Sequence, residues 1–200
     1  KEELAALYAA AGFAGRPTRE LTRFTEYAAK ATVAWGTSAE ATGQYLAEIG
    51  NIYSANQRRI EEIGDAINTM ADASASKETD LLDFLKRVGG QAKILGISAE
   101  NVLAFGAALK EVGVQSEVAA TGFQSAIMSK ALVPDEDFDE KLTKAGISAK
   151  KFRKVVEKDA TKGILVLLEG LNKLEGTKKL TVLKDLFGLE YADDIARLTG

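Results

Sequence analysis

The stretch LGISAENVLAFGAALKEVGVQSEVAATGFQSAIMSKAL, residues 95–132, contains two helix joints of one design. In the first joint, Gly96 can end a helix with a positive φ, and Ile97 can cover the joint with an apolar side chain. Ser98 can then cap the next helix by accepting a hydrogen bond from its first-turn N–H groups. A second joint repeats the pattern with one residue inserted, at Gly113, Val114 and Ser116.

A third joint follows later in the chain, at Gly146, Ile147 and Ser148. The first and third copies also share a hydrophobic staple, in which apolar residues on either side of the cap pack together. The staple pairs are Ile97 with Val102 and Ile147 with Phe152. The three joints predict a compact α-helical module in which these residues have structural roles. They do not by themselves indicate a function.

Composition narrows the possible functions. The 200 residues contain no cysteine and no histidine, so the chain lacks thiolate ligands, disulfides, and the commonest general base and metal ligand. Lysine and arginine are interleaved with aspartate and glutamate, with a net charge of −3, which disfavours a dedicated nucleic-acid surface. No apolar run approaches the roughly 20 residues of a membrane span. The chain begins with Lys1 rather than methionine, which indicates a fragment.

The predicted fold class is all-α, because only Pro17 and Pro134 interrupt long stretches of helical periodicity. We expect nine or ten helices in a multi-helix bundle. A long helical hairpin occupies a first lobe, residues 1–89, and a compact array of short helices occupies a second, residues 90–200. The two lobes could also form one continuous domain.

In the first lobe, apolar residues recur at the three-and-four spacing of a heptad repeat. On an unbroken helix from Thr37 to about Ala73, this heptad stripe would form one narrow apolar seam. Thr37 and Glu40 form a capping box at its start, and Ser76 is the expected cap of the following helix. A break near Gly50 is the alternative, because glycine weakens helices. The seam residues are Leu46, Ile49, Tyr53, Asn56, Ile60, Ile63, Ile67 and Met70.

This seam is a candidate interface between copies of the chain, although burial within the chain is the preferred interpretation. Within it, Asn56 is expected to be solvated or hydrogen-bonded, and a register-setting role between chains is the alternative. Lys150–Lys158 is basic on one side. A solvated face is the preferred interpretation there, and a site for an anionic partner is the alternative.

The sequence predicts no catalytic, cofactor-binding or metal site, and therefore no enzyme. Asp193 and Asp194, like Asp135, Glu136 and Asp137, are neighbours in sequence, and neighbours on a helix point away from each other. They are interpreted as helix-terminal charges. Gly12 and Gly15 lack the lysine and serine or threonine of a phosphate-binding loop.

Taken in order and spacing over most of the chain, these motifs resemble the core region of phage tail tape measure proteins. The resemblance rests on Ala92-x-x-Leu95-Gly96-Ile97-Ser98, Ala104-x-x-Ala107-x-Leu109, Gly113-Val114-x-Ser116-Glu117-x-Ala119-x-Thr121, Phe123, Pro134, Leu142-x-x-x-Gly146-Ile147-Ser148 and Leu186-Phe187-Gly188.

The resemblance implies a structural component of the virion tail, assembled in the host cytoplasm, from a protein that sets tail length and assists genome delivery. It also implies other tail proteins as partners (tube, tail tip or baseplate, and assembly chaperones), self-association of the full-length protein, and membrane contact during delivery. The ruler stretch itself would lie outside this chain. The alternatives are a helical adaptor that only binds other proteins, or a membrane-perturbing helical module.

Overall fold

The computed structural model describes residues 2–13 and 15–199. These residues form twelve α-helices, a 3-10 turn at Thr18–Glu20 and a π-helical segment at Phe123–Ala131, with no β-strand among them. The α-helices are α1 (Glu2–Phe13), α2 (Leu21–Trp35), α3 (Ala39–Ile52), α4 (Gln57–Ala73), α5 (Glu78–Ile94), α6 (Ala99–Glu111), α7 (Ser116–Gly122), α8 (Glu136–Lys144), α9 (Ala149–Lys158), α10 (Ala160–Asn172), α11 (Gly176–Phe187) and α12 (Leu189–Leu198). The all-α prediction is confirmed, with more helices than expected.

Helix α3 is central to the first half of the chain, where it packs against α1, α2 and α5. Helix α2 ends at Gly36, which has a φ of 60°. Ser38 then caps α3 by accepting a hydrogen bond from the Ala41 N–H at 3.2 Å. The predicted Thr37 capping box is wrong, because the Thr37 hydroxyl is hydrogen-bonded to the Thr42 hydroxyl at 2.6 Å.

The helix expected over residues 37–73 is not continuous, because the chain turns between α3 and α4. The alternative, a break near Gly50, is the one that the structure has, with the turn at residues 53–56. Helix α3 ends at Ile52, and Ser54 adopts a φ of 49°, which is unusual for a residue other than glycine. The Ala55 N–H donates to the Gly50 carbonyl oxygen at 2.8 Å and closes the turn. The stripe is therefore divided between two separate helices.

Asn56 is the N-cap of α4 rather than a seam residue. Its side-chain oxygen accepts a hydrogen bond from the Arg59 N–H at 2.9 Å, which satisfies one free donor of the first helical turn. Arg16 supports the turn from α1's side by donating to the Ala55 carbonyl oxygen at 3.0 Å. Since the connection occupies only residues 53–56, it spans about one helical turn of sequence and leaves the three-and-four count of apolar residues intact.

Helix α5 runs without interruption through Gly89 and Gly90, where the sequence suggested a division between lobes. A Cβ atom added at Gly89 would lie 3.2 Å from Cγ2 of Ile52, so this glycine allows α3 and α5 to approach closely. The predicted Ser76 cap is wrong. The Lys77 N–H, at the start of α5, is instead satisfied by Oδ2 of Asp80 at 3.1 Å.

After α7 the helix widens into the π-helical segment, where the Leu132 N–H donates to the Ile127 carbonyl oxygen five residues earlier. Helices α8–α12 follow. Asp135 caps α8 and Asp159 caps α10, each by accepting a backbone N–H, at 2.7 Å and 3.0 Å respectively. Helix α12 returns to contact α6 and α7 and so connects this end of the chain to the middle.

The buried apolar side chains form one contiguous core from α1 to α12. Two clusters of three phenylalanine rings lie within this core. Phe123 lies between Phe84 and Phe105, with ring centroids 5.8 Å and 5.0 Å away. Phe138 lies between Phe152 and Phe187, at 6.4 Å and 5.9 Å. This continuity indicates that the described part of the chain stabilises itself through its own contacts.

Candidate functional site

The first and third joints have the same geometry. Gly96 has a φ of 73° and Gly146 a φ of 89°. The residue after each glycine donates its N–H to a carbonyl oxygen five residues earlier, Ile97 to Ala92 at 2.8 Å and Ile147 to Leu142 at 2.9 Å, as in a Schellman motif. The following serines, Ser98 and Ser148, each accept a hydrogen bond from the backbone N–H three residues later, at 3.3 Å.

The second joint differs at its last position. Gly113 has a φ of 82°, and the Val114 N–H donates to the Leu109 carbonyl oxygen at 3.0 Å. Ser116, however, is the first residue of α7 and does not cap it, so its predicted capping role is wrong. Its hydroxyl instead donates to Oδ1 of Asp80 at 3.1 Å. The inserted residue moves the serine one position into the helix, where its hydroxyl connects α7 to α5.

Two glycines give a matched test of the first joint. A Cβ atom added at either Gly90 or Gly96 would meet no other atom within 4 Å. Gly90 lies inside α5, whereas Gly96 has a positive φ that strains any residue with a Cβ. We therefore expect Gly90→Ala to raise the free energy of unfolding by about 0.5–1 kcal/mol and Gly96→Ala to lower it by about 1 kcal/mol. Denaturant melts of both variants measure this, and a change of the same sign in both would contradict the assigned joint.

The predicted seam lies mostly in the core. Helix α3 packs against α1, α2 and α5, and α4 packs against α2, α5 and α6. Tyr53 and Met70 are partly buried against this core, and Asn56 is exposed in its capping position. The remaining seam residues are fully buried: Leu46, Ile49, Ile60, Ile63 and Ile67. The stripe is therefore covered by other helices of the same chain.

Ion pairs connect α4 to its neighbours around this buried face. Nε of Arg23 on α2 donates to Glu61 at 2.8 Å, and Nη1 of Arg59 lies 2.6 Å from Oε1 of Glu100 on α6. The hydrogen bond from Arg23 lowers the pKa of Glu61, and that from Arg59 lowers the pKa of Glu100. Because the pKa is lower in the folded chain, each carboxylate stabilises the fold at neutral pH, and this contribution is lost as the pH falls below the ordinary value of 4.5.

Tyrosines on these helices are also held in the interface. The Tyr27 hydroxyl donates to Oδ1 of Asp65 at 2.8 Å, and the Tyr45 hydroxyl donates to Oδ1 of Asp83 at 3.1 Å. Burial raises the pKa of Tyr27, and it raises that of Tyr53 to about 12. The hydroxyls of Tyr27 and Tyr45 therefore act as structural hydrogen-bond donors near neutral pH.

Three acidic side chains around the start of α8 take part in a helix cap or an ion pair. Asp135 caps α8, Asp137 pairs with Lys141 at 2.5 Å, and Asp139 pairs with Arg153 at 2.7 Å. Asp193 and Asp194 lie in the middle of α12, so their interpretation as helix-terminal charges is wrong. Burial raises the pKa of Asp194. In the described ranges, no three acidic side chains converge closely enough to hold a metal ion. Structural roles account for the acidic run at α8.

Arg153 connects several helices through its side chain, a role that the sequence did not predict. Its Nη1 donates to the Ala131 carbonyl oxygen at 2.6 Å, and its Nε donates to Oδ1 of Asp139 at 2.7 Å. The guanidinium also lies over the rings of Phe138 and Phe152, 5.6 Å and 5.1 Å from their centroids. This one side chain therefore joins α8, α9 and the end of the π-helical segment. It is the one arginine among the lysines of α9, but its partners Ala131 and Asp139 lie on other elements and cannot be inferred from the sequence.

Within the part of the chain that the structure describes, no helix combines the length and apolar character needed to cross a membrane. Polar surface depressions occur between α8 and α11 and between α9 and α10. They are open grooves with mixed charge. In the first groove, Asp135 is engaged in a helix cap, and Asp137 and Lys141 are paired with each other.

Comparison with known proteins identifies the family. The chain is 26% identical over 177 residues to a probable tape measure protein of Halomonas phage phiHAP-1, an alignment that covers 88% of this chain and 21% of that protein. The chain thus corresponds to about a fifth of that relative. No solved structure matches it. Residues 1–188 match the family described as phage-related minor tail protein, and the chain therefore belongs to this family of tail proteins.

Proposed function

We propose that this chain is a folded, non-enzymatic module of a tape measure protein and has a structural role in the phage tail. The observation that carries this proposal is the family match over residues 1–188. It is supported by the similarity to a probable tape measure protein over 88% of the chain. The continuous helical core and the use of the α8 carboxylates in caps and ion pairs agree with a structural role.

We propose that the module is not itself the ruler that sets tail length. Its longest helices, α4 and α5, have 17 residues each and span about 26 Å at 1.5 Å per residue. A fully helical ruler of 200 residues would span about 300 Å. These lengths support placing the ruler in other parts of the parent protein, with this module as a folded unit attached to it.

In the virion tail, this module has other tail proteins as its partners: the tube, the tail tip or baseplate, and assembly chaperones. Self-association of the parent protein, assembly in the host cytoplasm and assistance to genome delivery, including membrane contact at that stage, belong to the same proposal. In this proposal, contacts with these partners use the exposed surface of the module. The heptad stripe is not part of this surface, because its apolar residues are covered within the chain.

Tail length in the phage that encodes the parent protein tests this division of roles. Deletions in the helical ruler outside this module are expected to shorten the tail by about 1.5 Å per residue. Unfolding the module with Ile60→Asp and Ile63→Asp is expected to prevent assembly of full-length tails. The control, Arg58→Asp with Thr69→Asp, replaces two exposed residues of the same helix and is expected to leave tail length unchanged.

Electron micrographs of purified particles provide the measurement. Tails of normal length from the unfolded module would contradict a structural role for it. Deletion of the whole module that shortens the tail by about 300 Å, the length of a 200-residue helix, would assign the ruler role to this chain instead.

A further inference from the structure

The positive charge of this chain is concentrated in one segment. Residues 141–184 contain twelve lysine or arginine residues and four acidic residues, a net charge of +8. The rest of the chain has 14 basic and 25 acidic residues, a net charge of −11. The small overall charge therefore conceals a strongly basic region formed by the end of α8, by α9 and α10, and by most of α11.

The lysines of α9 form a row on one face of the helix. Lys150, Lys154 and Lys158 follow at intervals of four residues, which places them about 6 Å apart along the axis. Lys151 lies beside this row, and all four side chains are exposed. Phe152, on the opposite face, is fully buried in the core. The apolar side of α9 is therefore already occupied, and its lysine side faces solvent.

A further lysine, at the end of α10, lies close to the lysines of α9. Lys151 and Lys173, just after α10, line the same groove between α9 and α10. Across residues 2–13 and 15–199, the ammonium groups of five lysines make no ion pair and no hydrogen bond. We name these five residues the lysine face: Lys150, Lys151, Lys154, Lys158 and Lys173. Two glutamates, Glu157 and Glu169, flank the lysine face. The five lysines and two glutamates together leave an excess of positive charge at this surface.

We propose that the lysine face binds the phosphate backbone of double-stranded DNA without sequence preference. Duplex DNA carries one negative charge per about 1.7 Å of axis, so a row of lysines about 12 Å long can contact several phosphates at once. Binding releases condensed counterions, and this release supplies the free energy of non-specific association. This proposal is independent of the structural role proposed above, and it names double-stranded DNA as a ligand of the module.

The composition of the face favours DNA over an acidic protein. Protein interfaces are depleted in lysine and enriched in aromatic residues, methionine and arginine. Residues 141–184 contain one aromatic residue, Phe152, and one arginine, Arg153, and both are engaged inside the fold. A lysine-rich face without exposed anchors suits contacts to a uniform phosphate backbone.

The same composition favours a duplex over a single strand. Proteins that bind single strands stack bases on exposed aromatic side chains. The lysine face has no exposed aromatic residue, because Phe152 is buried. Sequence-specific recognition of bases commonly uses the bidentate guanidinium of arginine, and Arg153 already contacts Ala131 and Asp139. Binding by this face is therefore sequence-independent.

Fluorescence anisotropy with the 200-residue chain and a fluorescein-labelled 20-base-pair duplex tests the proposal. At 50 mM salt we expect a dissociation constant in the micromolar range, and a salt dependence with a slope of about −4.5 for five lysine–phosphate contacts. Lys150→Glu with Lys154→Glu and Lys158→Glu is expected to weaken binding at least about tenfold and to reduce the slope by about 3.

The matched control is Arg19→Glu with Lys30→Glu and Lys77→Glu. It changes the net charge by the same amount at three exposed positions away from the lysine face. We expect this control to retain most of the affinity, and circular dichroism shows whether both variants remain folded. Equal losses in the two variants would contradict the assigned face.

Three further probes separate DNA from other polyanions. We expect the labelled single strand, a polyglutamate peptide and vesicles containing phosphatidylserine each to bind more weakly than the duplex. The absence of duplex binding at 50 mM salt would contradict the proposal. Tighter binding of polyglutamate would indicate an acidic protein partner, and tighter binding of the vesicles would indicate a membrane. Either result would overturn the assignment to DNA.

Discussion

Replacement of both Ile60 and Ile63 by aspartate is expected to abolish folding of the chain. Both side chains are fully buried on α4. Removing each isoleucine costs about 2–5 kcal/mol, and burying each unpaired carboxylate costs several more. The sum, about 10–20 kcal/mol, is as large as the 5–15 kcal/mol by which most domains are stable. Circular dichroism of the purified variant is expected to show loss of most helical signal.

The control for this prediction is Arg58→Asp with Thr69→Asp, which places two aspartates on exposed positions of the same helix. We expect it to remain folded and to melt close to wild type. A folded and strictly monomeric Ile60→Asp, Ile63→Asp variant, derived from a wild-type chain that oligomerises, would have the opposite meaning. It would place the heptad stripe between chains rather than in the core.

Replacement of Gly106 by valine is expected to lower the free energy of unfolding by about 3 kcal/mol. A Cβ atom at this position would lie 2.8 Å from Cδ1 and 3.0 Å from Cγ of Phe84. The Phe84 ring cannot move freely, because it is buried and contacts the ring of Phe123, which in turn contacts Phe105. The two further methyl groups of valine increase the conflict between α5 and α6.

Ala104→Val is the control for this second prediction. Ala104 is exposed on the same helix, so valine there costs only its lower helix propensity, about 0.5 kcal/mol. Denaturant melts of both variants measure the difference. Equal stability of Gly106→Val and Ala104→Val would show that α5 and α6 do not cross closely at Gly106.

The joints were predictable from the sequence because their physical causes are local. A glycine with positive φ, an apolar residue and a capping serine are all contained in three consecutive residues at Gly96–Ser98 and at Gly146–Ser148. Ser116 shows the limit of this reasoning. One inserted residue moved its hydroxyl from a capping position to a contact with Asp80 on another helix. That partner is distant in sequence and depends on the packing of α5 and α7.

The break between α3 and α4 could not be predicted from periodicity. A four-residue turn preserves the three-and-four spacing, so the stripe from Leu46 to Met70 has the same pattern whether the helix is broken or continuous. The turn is also stabilised from outside, by the Arg16 side chain on the Ala55 carbonyl oxygen. The π-helical segment at residues 123–131 likewise lacks a glycine or proline that would mark it.

The candidate sites divide in the same way. The family could be inferred from ordered motifs along the chain, and the comparison over residues 1–188 confirms a phage tail protein. The lysine face could not be predicted from the sequence in the same way, because its definition requires knowing which lysines form ion pairs with acidic side chains. Lys141, Lys144 and Lys162 form ion pairs with acidic residues three or four positions away. Lys150, Lys154 and Lys158 lie in the same region and have no such pairs, which only the folded chain makes clear.

Small-angle X-ray scattering of the wild-type chain, extrapolated to zero concentration, tests the central claim that the heptad stripe is covered within one compact helical module. We expect a scattering mass close to 21.3 kDa and a radius of gyration of about 17 Å. A continuous helix over residues 37–73 would span about 55 Å and would need a partner chain to cover its seam. A mass of two or more chains at infinite dilution, with a correspondingly larger radius of gyration, would contradict the account.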